Sequence, residues 1–155
     1  MRPAAIVVTL VTLFTAGCLP APATSNTPES GSPMPSSIVD PYLKIQTALY
    51  GDSVDEVRAN AGNLATAATP LGAPAFKIGT AAVQLASATE LADARERFGT
   101  LSNAIITYMD GLHLAPPEGV HVASCETTRK QWLQGGDSIA NPYEGSSAPA
   151  CGSLR

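Results

Sequence analysis

Leu91, Ala94, Phe98, Leu101, Ile105, Tyr108 and Leu112 fall three and four residues apart along the most regular stretch of the chain. At 3.6 residues per turn they share one face of a helix, and so wide an apolar stripe has to be buried against other elements. The spacing predicts a helix over residues 89–112. Three shorter patterns precede it: Tyr42, Ile45 and Leu49 in 40–51; Val54, Val57, Ala61, Leu64 and Ala68 in 53–69; and Phe76, Ile78, Ala82 and Leu85 in 75–88. Asp40 reads as an N-cap before Pro41, and Ser53 with Glu56 and Ser87 with Glu90 read as capping boxes. Between the second and third helices, Pro70 and Pro74 push their predecessors out of helical geometry. Four helices, short connectors and many alanines predict an all-α fold, a small antiparallel bundle with close helix approach.

After Leu112 the texture changes. Pro116-Pro117-Glu118-Gly119 marks a loop, and Val120-His121-Val122 alternates as a short extended piece would. The tail at 120–152 predicts irregular structure with at most one helical turn near Arg129 to Leu133.

The N-terminus carries a different signal. Arg2 precedes an uncharged apolar run from Ala4 to Phe14, too short to span a bilayer as a mature helix, so residues 1–17 read as an export signal. Thr15-Ala16-Gly17-Cys18 resembles the processing box of bacterial lipoproteins, which implies cleavage before Cys18 and lipid on that residue. Several acyl chains, each contributing about 0.8 kcal/mol per buried methylene, then suffice as an anchor. Leu19 stands where inner-membrane lipoproteins typically carry aspartate, so the resemblance points to the outer membrane, with the domain facing the periplasm. Residues 18–37 are rich in Pro, Ser and Thr and read as a disordered tether, with Met34 incidental to it and the folded domain occupying 38–155. In an exported domain the two remaining cysteines, Cys125 and Cys151, are expected to form a disulfide, with Trp132 and Tyr143 between them covering the bundle core.

A net charge of −4 over 155 residues argues against nucleic acid as a partner. No glycine-flanked serine forms a nucleophile elbow, and neither His113 nor His121 has an orienting acid at a telling spacing. Asp52, Asp55, Glu56, Asp93 and Glu96 lie near helix starts, where the helix dipole accounts for them. The chain reads as non-enzymatic.

Val122-Ala123-x-Cys125, Trp132-Leu133-Gln134, Asn141-Pro142-Tyr143-x-Gly145 and Cys151-Gly152 resemble the C-terminal signature of a family of bacterial periplasmic domains of unknown function. Members occur alone or appended to the adaptor subunits of copper/silver-type heavy-metal efflux pumps, and "ELADARERFGTLSNAII" is similar to the family's alanine-rich helix. The likeness covers residues 40 to 152. It implies a non-enzymatic accessory or binding module linked to heavy-metal efflux or homeostasis, with an efflux-pump adaptor or other envelope protein as partner. The chain departs from the family at Glu126 and Thr127, where a proline and a methionine are usual, and at Ala148, where a second methionine is usual, so the soft thioether donors for Cu(I) or Ag(I) are missing. Two alternatives stay open: a metal-binding protein or metallochaperone holding Cu(I), Ag(I) or zinc through His121, Cys125 and Cys151, supported by His113, and a structural envelope lipoprotein unrelated to metals.

Overall fold

The computed structural model describes residues 26–147 and 151–155. The export signal, Cys18 and Ala148 lie outside the described residues. Four helices, α1 (Ser36–Tyr50), α2 (Val54–Ala68), α3 (Phe76–Ala86) and α4 (Leu91–Leu112), are followed by three strands, β1 (Val120–Cys125), β2 (Lys130–Gly135) and β3 (Ser153–Leu154). Successive helices pack on one another in chain order, and β2 lies against α1 and α4.

The all-α expectation is therefore wrong: the tail forms an antiparallel sheet in the order β2-β1-β3. The register pairs Val120 with Gly135, Ala123 with Trp132 and Cys125 with Lys130, with β3 adding Leu154 opposite Ala123. Arg129, at φ 57°, turns the chain from β1 into β2. The register puts Ala123, Cys125, Trp132 and Gln134 on one face, and all four are buried. On β2 that face reads Lys130, Trp132, Gln134, so the apolar alternation that announces a strand is missing from the sequence.

A second correction concerns the tether. Residues 26–35 lie along the domain: Asn26 N–H donates to Pro70 O (3.1 Å), Gly31 N–H to His113 O (3.0 Å) and Met34 N–H to Ala115 O (3.0 Å). Met34, far from incidental, is 2% exposed. It begins a core stripe that continues through Ile38, Tyr42, Ile45 and Leu49, and this explains why α1 starts at Ser36, four residues before Asp40. Pro41 accordingly sits inside the helix, where it has no N–H to offer the carbonyl of Ser37.

Helices α2 and α4 start within a residue or two of expectation, but neither capping box forms. Ser53 and Glu90 are the N-caps and neither makes a side-chain cap bond; Ser87 instead donates its hydroxyl to Gln84 O. Two short 3-10 turns, Thr69–Leu71 and Ala73–Ala75, join α2 to α3, with Gly72 at φ 74° between them. His113, in the left-handed conformation, closes α4 as its N–H and that of Leu114 return to the last turn. Phe98, Leu101, Ile105 and Tyr108 are buried as the stripe requires, whereas Phe76 is 73% exposed. The inner face of α3 is Ile78, Ala81, Ala82 and Leu85, and Phe76 lies off it.

Candidate functional site

The residues singled out in the tail converge on one cap over the α1–α4 end of the core. Cys125 and Cys151 form a disulfide across 26 positions, with their Cα atoms 5.4 Å apart. Trp132 is fully buried and packs edge-on to Tyr143, whose ring meets Phe98, which in turn stacks on Tyr42. Centroid separations of 5.1 to 5.9 Å along this row are those of favourable aromatic pairs.

Two tyrosine hydroxyls close the open edge of the sheet. Tyr143 Oη donates to Gln131 O (2.8 Å), and Tyr42 Oη accepts from Leu133 N–H (3.1 Å) while sharing a 2.7 Å hydrogen bond with Ser102. Two outward backbone groups of β2, Gln131 O and Leu133 N–H, are thus satisfied by side chains, which blunts this edge as a template for strand addition. Burial pushes the Tyr143 hydroxyl up to about 12, with a smaller push from the charge of Glu96 and an opposing pull from its bond to Ser102. Burial likewise raises Tyr42 well above the usual tyrosine value.

Asn141-Pro142-Tyr143 is a turn held from both sides. Asn141 Oδ1 accepts from Tyr143 N–H (2.9 Å), an Asx-turn, and its Nδ2 donates to Cys151 O (3.0 Å). Arg95 Nε donates to Pro142 O (3.0 Å) and Nη2 to Asp52 Oδ1 (2.6 Å) and Leu49 O (3.3 Å), so one guanidinium ties the turn to the end of α1. Gly145 has φ 78°, and a Cβ there would stand 2.6 Å from Arg95 Nη2. At Gly152 a Cβ would come 2.9 Å from Ile139 Cγ2 and 3.1 Å from the Trp132 ring. Glycine is favoured at 145 chiefly by the positive φ and at 152 by close approach.

Two glutamines were not singled out as buried organisers of the cap. Gln134, 1% exposed, accepts from Trp132 Nε1 (3.0 Å) and Ala140 N–H (3.2 Å) and donates to Ser138 O (2.8 Å). Gln46 Nε2 on α1 donates to Ala140 O (2.7 Å) from the other side. Nothing in their spacing distinguishes them from surface glutamines. The alternation of Gln134 with Trp132 carries a signal only once a strand is assigned.

The alternative metal set does not assemble. His121 and Cys125 share a face of β1 but stand four residues apart, about 13 Å along a strand, and both thiols are in the disulfide. His121 Nε2 lies instead 3.5 Å from Asp137, and His113 caps α4. Among the described residues no group of three or more His, Cys, Asp and Glu side chains is gathered to hold a metal ion. Four of the five acids named near helix starts have cationic neighbours: Asp52 with Arg95, Asp55 with Arg58, Asp93 with Arg97, and, further along α4, Glu96 with Lys130.

The second feature of note lies away from the cap. Phe76 and Val83, 73% and 61% exposed, stand on the outer side of α3 beside a groove of about 530 Å³ between α2 and α3. Among the described residues, no helix is long and apolar enough to cross a membrane. The chain matches no family model, no curated protein and no solved structure.

Proposed function

We propose that the chain is a non-enzymatic, lipid-anchored domain of the bacterial cell envelope, an accessory or binding module for copper or silver efflux or homeostasis. The observation that carries this reading is the interlocked cap: Cys125, Cys151, Trp132, Leu133, Asn141, Pro142, Tyr143, Gly145 and Gly152 all lie in or against one disulfide-clipped unit. Residues engaged in this way hold a shape, which supports a module that works by presenting a surface. A disulfide with a fully buried Cys125 supports an oxidising compartment. Thr15-Ala16-Gly17-Cys18 supports the anchor, and the metal setting rests on the motif resemblance in the tail.

Intact mass of the membrane-extracted protein, before and after reduction and alkylation, tests compartment and anchor together. The expected result is a chain beginning at an acylated Cys18 that takes up alkyl groups at Cys125 and Cys151 only after reduction. An unmodified chain starting at Met1 would overturn the reading. For the metal setting, a strain lacking the gene is expected to lose tolerance to copper or silver salts, and unchanged growth at every concentration would detach the domain from metals.

A further inference from the structure

Asn26 N–H donates to Pro70 O (3.1 Å) and Thr27 Oγ1 to Leu71 O (3.1 Å), so the start of the described chain is fastened to the loop between α2 and α3. Thr69 and Gly72, on either side of that pair, line the same groove as Phe76 and Val83. Phe76 and Val83 are the large hydrophobic side chains exposed among the described residues. Three grooves meet at Phe76; Lys77 is the one charged residue lining them, and no cap residue is among their walls.

We propose that this face rests on the lipid surface that holds Cys18, with Phe76 and Val83 in the interface and Lys77 at the headgroup phosphates. The inference rests on the anchor proposed above. Cys18 and Asn26 are eight residues apart, a leash of at most about 28 Å however the chain runs between them. A domain of this size is roughly 35 Å across, so with the leash made fast at Pro70 the opposite side cannot touch the bilayer. The side that can touch it carries the exposed aromatic. Exposed apolar patches mark contacts with proteins or membranes, and the leash favours the membrane: it makes the bilayer an intramolecular partner at high effective concentration. The 11-residue α3 is about 16 Å long, too small a contact for a stable interface with a second copy or another protein. It is enough to orient a domain that acyl chains already hold. A lone lysine among apolar side chains, with no acid in the groove walls, suits anionic headgroups, because its stem lies along apolar surface while its ammonium reaches phosphate. The 15-residue α2, about 22 Å long, separates Pro70 from Asp52, where the cap begins. The cap therefore stays clear of the contact and open to a partner.

The test uses the lipidated full-length chain in vesicles of phosphatidylethanolamine and phosphatidylglycerol that contain a doxyl-labelled phospholipid. With Cys18 acylated and Cys125 bridged to Cys151, Thr80→Cys supplies the one free thiol, and a nitrobenzoxadiazole dye attached there stands on the exposed side of α3 between Phe76 and Val83. The labelled lipid is expected to quench about half of its emission, and almost none of that from a dye at Glu126→Cys, exposed in the turn between β1 and β2. Adding Phe76→Asp is expected to abolish the quenching at position 80, while Phe76→Leu retains most of it. Position 76 is on the surface, so a thermal transition of the Phe76→Asp chain within a few degrees of the parent's shows that folding is not the cause. Equal quenching at positions 80 and 126, none at position 80 in a chain whose mass shows an acylated Cys18, or quenching indifferent to Phe76→Asp would each overturn the proposal and leave the anchor standing. So would a dye at position 80 that is shielded from aqueous iodide but untouched by lipid, because protein, either a second copy or the residues before Asn26, then covers the face. A chain with no acyl group on Cys18 would overturn the anchor reading, and this inference with it.

Discussion

Tyr143 combines three roles in one side chain: its ring packs between Trp132 and Phe98, its hydroxyl seals the edge of β2, and its backbone N–H closes the Asx-turn. The cost of charging it follows from that burial. An ordinary tyrosine ionises near 10, whereas Tyr143 holds its proton up to about 12. The unfolded chain therefore releases the proton first, and linkage makes the sign definite: the contribution is intact below pH 10 and is lost as pH rises from about 10 to about 12. Urea midpoints are expected to fall across that window, and to fall less steeply in Tyr143→Phe. An equal slope in the variant would remove Tyr143 as the cause. Trp132, Tyr143 and the cysteines are legible in the sequence because large aromatic rings favour burial and two cysteines bracketing them invite a bridge. Gln134, Gln46 and Ser102 were not, because a polar side chain gives no sign of burial until its hydrogen-bond partners have been placed around it.

The helices could be read from spacing alone, since a wide apolar stripe leaves a periodic trace even where the caps differ. The strands left none on β2, whose buried face carries a lysine stem, an indole and a glutamine. At the start of α1 the stripe is hidden: Met34 and Ile38 belong to it, but Pro33, Pro35 and the neighbouring serines lend that stretch the texture of a tether. The sheet depends on the disulfide more than the helices do. β3 is two residues long, and Cys151, two positions before it, is fastened to Cys125 at the end of β1. Closing a loop of 26 positions is worth about 3.5 kcal/mol in the chain-entropy estimate. Replacing both cysteines by alanine is expected to lower unfolding free energy by roughly that amount. Amide exchange is expected to rise first at Ser153, Leu154 and Arg155. Unchanged protection there would show that the arm is held by its own contacts.

Across the whole molecule, helices and sheet share one core, in which Trp132 and Leu133 are as buried as Phe98 and Leu101. A bundle with an appended tail would survive loss of the tail; this fold is not expected to. A chain ending at Leu112 should retain helical circular dichroism but lose the cooperative thermal transition, because α1 and α4 would expose the face that β2 covers. A sharp transition in that truncated chain would restore the picture of a self-sufficient bundle.

The hydrogen bond from Leu133 N–H to Tyr42 spans 91 positions, and that from Gln46 to Ala140 spans 94. Helix α1 is thus completed by the C-terminal hairpin and the segment that follows it. Until that hairpin docks, Gln46 Nε2 lacks Ala140 O and Tyr42 Oη keeps only Ser102, so α1 reaches its full set of hydrogen bonds only when the tail is in place. The domain is therefore laced across its length: when the tail is undocked, bonds are lost at the opposite end of the chain as well as at its own.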